Sequence, residues 1–307
     1  MRRAVPALLV LLTGCTSLQS QFRTKPRVAE VGGDPIVQMT PAEKLPSLEN
    51  PHFSSWKRHT DPPAPWEPVV GVEGRGYPLG LLDRYEVIND RGPQGPYVVA
   101  RCPLAGVAAV YDRRVEGRTL TFVNSGALWR DTLVLQDLET GTLWTAATGR
   151  ALYGPLQGVQ LDAIPAILTT MNGFARTYPD ARYLDTGELT ETPLRLSLYS
   201  ASDWQGVSGI ETRDRRYEPK TRLFSVSEGT EALAFREEDL KRAVRVETTL
   251  AGCPTWLEWD SARDCPRAFR LVEGATEEIA VVPMYWFALD RHFETLRTPV
   301  ARTVASE

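Results

Sequence analysis

Histidine and cysteine, the side chains behind much nucleophilic and metal chemistry, are scarce in this chain of 307 residues, with only 3 His and 4 Cys. A serine triad needs an imidazole beside its nucleophile. The three histidines (His52, His59 and His292) lie near the N-terminus or in the last predicted helix. Ser125 stands in no Gly-x-Ser-x-Gly motif. These absences argue against a hydrolase of the serine-triad type.

Basic clusters and long apolar runs are also missing. The net charge is −4 and the pI is about 5.6, whereas a nucleic-acid-binding domain is expected to be basic. We therefore expect no nucleic-acid partner. Beyond the first fifteen residues, no segment offers the roughly 20 apolar residues that a membrane helix needs.

The N-terminus has the three parts of a bacterial lipoprotein signal. Arg2 and Arg3 precede the short apolar run 4–12, and the sequence Leu-Thr-Gly leads directly to Cys15. Residues 1–15 are therefore predicted to be a signal peptide and lipobox, with Cys15 lipidated; the alternative is a cleaved signal with an incidental cysteine. The membrane is then a partner through the anchor, and multiple acylation would hold the protein stably. Thr16, in place of aspartate, indicates the periplasmic face of the outer membrane if the cell is Gram-negative.

Prolines dominate residues 16–66, which we interpret as a tether. Eight of them interrupt any regular period: Pro26, Pro35, Pro41, Pro46, Pro51, Pro62, Pro63 and Pro65. Such a density favours extended conformations that would hold a domain away from a membrane. The alternative is an arm packed on the domain through Phe53 and Trp56.

From about Val69 the pattern predicts an α+β domain that is mainly β. Short β-branched and aromatic runs alternate with Gly, Pro and Asp. The predicted strands are Tyr97–Arg101, Val107–Asp112, Thr119–Val123, Thr132–Asp137 and Val159–Ile164. Apolar residues at helical spacing from Ile167 to Tyr178 predict one amphipathic helix.

An internal repeat becomes visible when the chain is shifted by 158 residues. Tyr77 then aligns with Phe235 and Pro96 with Pro254, and each copy ends in a Pro followed by a helical pattern, the second from Tyr285 to Leu296. We predict two strand-strand-Pro-helix units packed as one domain. The boundaries are 67–183 for the first repeat, 184–222 for a connecting segment, 223–300 for a shortened second repeat and 301–307 for a tail. The strand-rich stretch Thr119–Trp144 has no counterpart in the second repeat.

The first repeat resembles the bacterial DUF3179 family, a set of exported proteins of unknown function. The resemblance covers most of the chain after Val69 and depends on stretches that occur in a fixed order. They are Gly76–Leu79, Glu86–Asp90, Cys102–Gly106, Asp112-Arg113, Ser125-Gly126, Asp131, Thr140–Trp144, Thr148-Gly149 and Gly154–Leu156. This ordered set of stretches is specific for the family and implies no particular chemistry.

The resemblance is that of a divergent member, because two features usual in the family are altered. Family members usually have Trp-His-Glu where this chain has Arg84-Tyr85-Glu86. They also usually have a second cysteine at the position of Ala105. A Cys-x-x-Cys pair could cycle as a disulfide or bind copper or zinc. Without these groups we predict no cofactor and no metal site; the alternative keeps Cys102 as one working thiol, with copper or zinc as its metal.

The remaining candidates form a polar set that could converge on one face and bind a small ligand or a cation. Its members are Tyr85, Glu86, Asn89, Asp90, Asn124, Ser125, Asp131 and Asp137, with Trp144 beside them in sequence. No ordered ligand spacing of the EF-hand type is present. Asn and Asp are equally suited to the turns of a β domain.

Cys253 and Cys265 are candidates for a disulfide because an exported protein meets an oxidising compartment. The repeat argues against the bridge, since it places these residues at opposite ends of one hairpin, about 20 Å apart along the strands. The favoured interpretation of the whole chain is a binding or scaffolding lipoprotein with a small ligand or an envelope protein as partner. The alternatives are a redox or metal-handling protein using Cys102 and a hydrolase using the acidic cluster.

Overall fold

A computed structural model describes residues 25–59, 62–188, 191–243 and 245–299. Strands dominate these residues and the helices are short, so the prediction of an α+β, mainly β fold is confirmed. None of the helices in these four ranges has the length and hydropathy of a membrane span.

The first half of the chain holds seventeen strands and two α-helices within those ranges. In order they are β1 (Arg27–Val31), β2 (Asp34–Gln38), β3 (Leu48–Glu49), β4 (Phe53–Ser55), β5 (Pro68–Val72), β6 (Arg75–Pro78), α1 (Leu79–Tyr85), β7 (Val87–Gly92), β8 (Gly95–Cys102), β9 (Val107–Asp112), β10 (Arg114–Val115), β11 (Arg118–Thr119), β12 (Phe122–Trp129), β13 (Thr132–Asp137), β14 (Leu143–Thr145), β15 (Ala151–Tyr153), β16 (Ile167–Thr170), α2 (Met171–Thr177) and β17 (Arg182–Leu184). Short 3-10 turns cover Ala42–Lys44 and Trp56–Arg58.

The second half continues with α3 (Leu194–Ser200), β18 (Arg222–Glu228), β19 (Glu231–Arg236), α4 (Glu237–Ala243), β20 (Arg245–Leu250), β21 (Cys253–Asp260), β22 (Cys265–Val272), β23 (Ala275–Ile279), β24 (Val282–Tyr285), α5 (Trp286–His292) and β25 (Thr295–Arg297). The first predicted helix therefore begins later than the apolar spacing indicated, and the second ends earlier. Ile167 and Leu168 lie in β16, and Leu296 lies in β25. Of the predicted strands, Val159–Ile164 is wrong, because only isolated bridges form there, at Gln160 and Ala163.

Local sequence explains where the first helix begins and ends. Pro78, whose ring suits an extended residue before a helix, precedes Leu79. The helix ends at Glu86, which adopts a left-handed conformation (φ 50°) and donates its N–H to the carbonyl oxygen of Leu82 at 2.8 Å. This ending turns the chain sharply into β7.

Two four-stranded arrangements share one order of pairing. In the first, β16, β5 and β6 are antiparallel neighbours and β17 joins β6 in parallel; in the second, β24, β18 and β19 are antiparallel neighbours and β25 joins β19 in parallel. A helix follows the same strand in each, α1 after β6 and α4 after β19. This shared order supports the proposed duplication.

The antiparallel strands β7 to β9 and β20 to β22 have the same register at the offset of 158. The matched pairs include Val87–Ala100 with Arg245–Glu258, and Tyr97–Asp112 with Thr255–Arg270. Equal registers put equivalent side chains on equivalent faces of the two sheets. Positions 158 apart can therefore be compared directly in the functional site.

A six-stranded sheet occurs in the first half only, with the order β1-β2-β12-β13-β14-β15, and we call it the single-copy sheet. It covers one face of β7 to β9, where Phe122, Leu133 and Trp144 share a core with Val98 and Ala100. The same core extends to the second half through residues of β24 and α5. The single-copy sheet therefore holds the two repeats together.

The proposed tether needs correction over the described part of residues 16–66. β1 and β2 join the single-copy sheet, β3 pairs with β7, and β4 pairs with β17. Phe53 is 6 % exposed and contacts the ring of Tyr77 edge-on, while Trp56 contacts Tyr183. This is the packed arm that was the alternative, because β2, β3 and β4 each find a backbone partner far along the chain. Residues 1–24, with the lipidation candidate Cys15, lie outside the described residues.

Candidate functional site

The polar residues predicted from sequence do not converge on one face. They separate into distinct hydrogen-bond groups, most of which connect one part of the fold to another. Their contacts agree with the other interpretation of the set, the turn chemistry of a β domain, and not with one small-ligand or cation site built from all of them. Within the described ranges, no group of three or more His, Cys, Asp or Glu side chains is arranged to hold a metal ion.

Asn89 and Asp90 are buried and fully engaged. Asn89 acts as a substitute strand partner, since its Nδ2 donates to the carbonyl of Phe122 at 2.7 Å and its Oδ1 accepts from the N–H of Phe122 at 2.8 Å. Asp90 accepts from Arg75 at 2.5 Å and from the hydroxyl of Tyr77 at 2.6 Å. Both side chains thus satisfy buried groups, which is the usual requirement for polar residues in a core.

Asp137 and Ser125 have turn and bulge roles. Asp137 accepts from the N–H of Thr140 at 2.6 Å and from the indole Nε1 of Trp144 at 2.8 Å. The hydroxyl of Ser125 donates to the carbonyl of Val134 at 2.6 Å, where β12 bulges. The neighbouring Gly126 has φ +72°, and a Cβ there would lie 1.9 Å from the backbone oxygen of Thr40. Because Gly126 has no side chain, the family's Ser-Gly pair leaves room for the packed N-terminal arm at Thr40.

Asp131 is 1 % exposed and joins three segments of the chain. Its Oδ1 accepts from the N–H groups of Val207 and Ser208 at 2.7 and 2.8 Å. Its Oδ2 accepts from the Ser208 hydroxyl and from Arg291 of α5. The connecting segment is thereby fixed to the hairpin of β12 and β13.

Glu86 and Asn124 form the one direct pair within the predicted polar set that links β12 to the end of α1. The Nδ2 of Asn124 donates to Glu86 at 2.8 Å. Burial raises the pKa of the Glu86 carboxyl to about 7, an effect that its bond to Asn124 opposes. A carboxyl with such a pKa suits acid–base chemistry, but none of the cavities described below includes it.

Cys102 is a buried thiol, 2 % exposed, in the core beneath the single-copy sheet. Its Sγ accepts from the N–H of Leu133 at 3.3 Å. Burial raises its pKa to about 12, and the nearby Glu86 adds to the effect. Because the thiolate is the reactive form, this environment opposes the role of a working thiol. Tyr85, at the position of the family's histidine, packs in a different core, on the other side of β7 to β9.

Cys253 and Cys265 are both free, so the structure has no disulfide between them, in agreement with the argument from the repeat. Cys265 pairs with Asp260 beside the turn between β21 and β22, and Cys253 pairs with Leu250 at the far end of β21. The two cysteines therefore lie at opposite ends of the hairpin, as the comparison with the first repeat at the offset of 158 predicted.

His292 is buried in α5, the helix in which sequence analysis placed it. Its Nε2 lies 2.9 Å from the hydroxyl of Thr132 and its Nδ1 lies 2.8 Å from the carbonyl oxygen of Ala288. Its ring meets Trp129 edge-on, with centroids 5.4 Å apart. Burial lowers the pKa of His292 to about 4, so the ring is neutral at pH 7.

A cleft of about 200 Å³ opens between the two repeats, and we call it the interface cleft. Three pairs of its lining residues are 158 positions apart: Leu79 and Glu237, Arg101 and Trp259, Gly106 and Asp264. The cleft thus lies where equivalent positions of the two repeats face each other. Sequence reasoning missed it, although the offset of 158 was the signal that could have found it.

The walls of the interface cleft combine apolar and charged groups. Val70, Leu168 and Phe224 line it together with Tyr285. The side chain of Arg101 is held in place by α1, because its Nε donates to the carboxylate of Asp83 at 2.8 Å. Concave sites with apolar walls and a few fixed polar groups are typical of ligand binding.

Comparison with known proteins agrees with the motif order. Residues 42–299 match the family described as a protein of unknown function, DUF3179. The chain belongs to DUF3179. Among curated proteins and solved structures, none matches it. For this DUF3179 member, the polar motif residues lie at internal joints of the fold, and the interface cleft lies elsewhere.

The three thiols should react in an order set by burial. A short pulse of iodoacetamide on the native protein should alkylate the exposed Cys253 and leave Cys102 and Cys265 unmodified, because both are buried and burial raises each pKa to about 12. Peptide mass mapping measures each site, and Cys253 serves as the internal positive control. Rapid alkylation of Cys102 at neutral pH would contradict its assignment as a core residue.

Glu86 and His292 should give opposite pH dependences to the free energy of unfolding. The pKa of His292 is lowered in the folded state, so its contribution is lost as the pH falls from about 6.5 towards 4, by about 3 kcal/mol in total. The pKa of Glu86 is raised from 4.5 to about 7, so its contribution is lost as the pH rises through that range.

Urea unfolding between pH 4.5 and 6.5 separates the two effects. Glu86→Gln should make stability rise more steeply with pH than in the unmodified protein, and His292→Gln should make it rise less steeply or fall. Each variant controls for the other, since the expected changes have opposite signs. Slopes unchanged in both variants would disprove the assigned protonation states.

Proposed function

We propose that this protein is a lipid-anchored lipoprotein of the bacterial cell envelope, and that its folded domain binds a small ligand in the interface cleft. The anchor is supported by the signal sequence that ends at Cys15. The binding role is carried by one observation, the cleft lined by equivalent positions of two repeats. An envelope protein is the alternative partner, and the location is the periplasmic face of the outer membrane if the cell is Gram-negative.

The chemistry of the walls favours a ligand with an apolar body and a polar end group. The apolar residues would cover the body, and the polar end would meet the ion pair of Arg222 with Glu237 and the guanidinium of Arg101, which pairs with Asp83. A volume of about 200 Å³ is below the roughly 300–1,000 Å³ of drug-sized sites, so the ligand should be small.

The alternatives receive less support. A redox or copper- or zinc-handling role would need Cys102 to react, and that thiol is shielded by the core. A hydrolase built on the acidic cluster would need two carboxylates in one site. Asp90, Asp131 and Asp137 instead bond to separate partners.

The anchor can be tested by removing the lipidation site. Cys15→Ser should abolish incorporation of radiolabelled palmitate and move the protein from the membrane to the soluble fraction, because the acyl chains would no longer be attached. Cys253→Ser, which removes an exposed cysteine elsewhere, should leave both unchanged. Equal labelling of Cys15→Ser would refute the anchor.

The cleft can be tested with 8-anilinonaphthalene-1-sulfonate, an apolar anion whose fluorescence rises in apolar sites. The native protein should bind it saturably, and Trp259→Ala should weaken binding at least about fivefold, by loss of an aromatic wall. Trp256→Ala is the matched control, since Trp256 lies on the same strand but outside the cleft.

Near-ultraviolet circular dichroism should first establish that both variants remain folded. Equal dye affinity in the native protein and in Trp259→Ala would exclude the cleft as the binding site.

A further inference from the structure

A second cavity, of about 520 Å³, is lined by four arginines and shares no residue with the interface cleft. Arg130 comes from the β12–β13 turn, Arg213 and Arg216 from the connecting segment, and Arg291 from α5. We call it the arginine cavity. Three segments distant in sequence thus bring arginines to one cavity, whose walls also hold six carboxylates, those of Asp34, Asp131, Glu211, Asp214, Asp290 and Glu294.

Arg291 is the buried member of this group, with 9 % of its side chain exposed. Its Nη1 donates to Asp131, while its Nε and Nη2 are buried and have no hydrogen-bond partner. Its Cζ lies 5.1 Å from the ring centroid of Phe287, which supplies no conventional acceptor. Buried donors without acceptors are costly, and more so when they are charged.

The two unpartnered nitrogens are the pair that can act together. In a guanidinium group, the Nε–H and one N–H of Nη2 point the same way along one edge, and that edge matches two oxygens of a carboxylate or a phosphate. Asp131 occupies a different nitrogen, Nη1. The paired edge of Arg291 is therefore the one left without an acceptor.

Most carboxylates around the cavity already have partners. Asp34 pairs with Arg130 at 2.7 Å, and Asp214 pairs with Arg216 at 2.7 Å. Asp290 accepts from the N–H of Arg213 at 3.2 Å. The two remaining acids, Glu211 and Glu294, are exposed. None of these contacts supplies an acceptor to the free edge of Arg291.

We propose that the arginine cavity binds a small oxyanion, a carboxylate or a phosphate group, through the Nε and Nη2 of Arg291. Both nitrogens are shielded from solvent in this structure. Binding therefore includes the shift of a neighbouring side chain, and the exposed Arg213 is placed to add charge at the rim. The site is independent of the ligand proposed for the interface cleft.

Thermal unfolding at pH 7 tests the proposal with sodium phosphate, sodium acetate and sodium chloride at equal ionic strength. A ligand of the folded state raises the melting temperature in a saturable way. The melting temperature of the native protein should rise more with phosphate or acetate than with chloride, and the effective anion shows whether the site prefers a phosphate or a carboxylate.

Arg291→Lys keeps one positive charge but loses the paired edge, so its apparent affinity for that anion should fall about tenfold or more. Arg245→Lys, on β20 outside the cavity, should keep the affinity.

Hydrogen exchange of the native protein locates the effect without a substitution. The active anion should slow exchange in peptides covering 205–214 and 286–294, and this readout remains if Arg291→Lys does not fold. The proposal is overturned if neither oxyanion exceeds chloride, if Arg291→Lys binds as well as the native protein, or if those peptides show no added protection.

Discussion

The arrangement of the two repeats depends on the hydrogen bonds that the buried carboxylate of Asp131 accepts. It lies in the two-residue turn between β12 and β13, where Arg130 and Asp131 both have positive φ, as tight hairpins require. From there it accepts hydrogen bonds from the connecting segment and from Arg291. A Cβ on Gly206 would come within 2.3 Å of the Asp131 carboxyl carbon, so the approach needs glycine. A buried carboxylate this well satisfied fixes one packing of three otherwise separate segments.

Attachment of the single-copy sheet to the first repeat explains the family's polar residues physically. The single-copy sheet must be attached to the first repeat by polar groups wherever its backbone leaves regular pairing. Asn89 holds the start of β12, Ser125 and Gly126 form its bulge, and Asp137 fixes the turn after β13. The second repeat lacks that sheet, and the position equivalent to Asn89 is Glu247, on a more exposed strand. These polar motif residues thus mark joints of the fold.

Sequence could predict those features that depend on local period and repetition. The offset of 158 relates α1 to α4 and strands β7–β9 to β20–β22, because equal strand and turn lengths preserve register. It could not predict the N-terminal arm, since pairings such as Leu48 with Ile88 and Phe53 with Leu184 join distant residues through strands of two or three residues. Nor could it group the candidate site correctly, because Asn89 and Asp90 are adjacent in sequence and their side chains bond to different parts of the structure.

The packed arm limits how far a lipid-anchored domain could stand from its bilayer. β1 begins at Arg27, so only about a dozen residues separate it from Cys15. Fully extended, such a stretch reaches at most about 40 Å. Most of the proline-rich stretch pairs within three sheets, so with Cys15 lipidated as proposed the domain would work within about 40 Å of the lipid headgroups. Whatever enters its cavities would then be met at the membrane surface and not in the open periplasm.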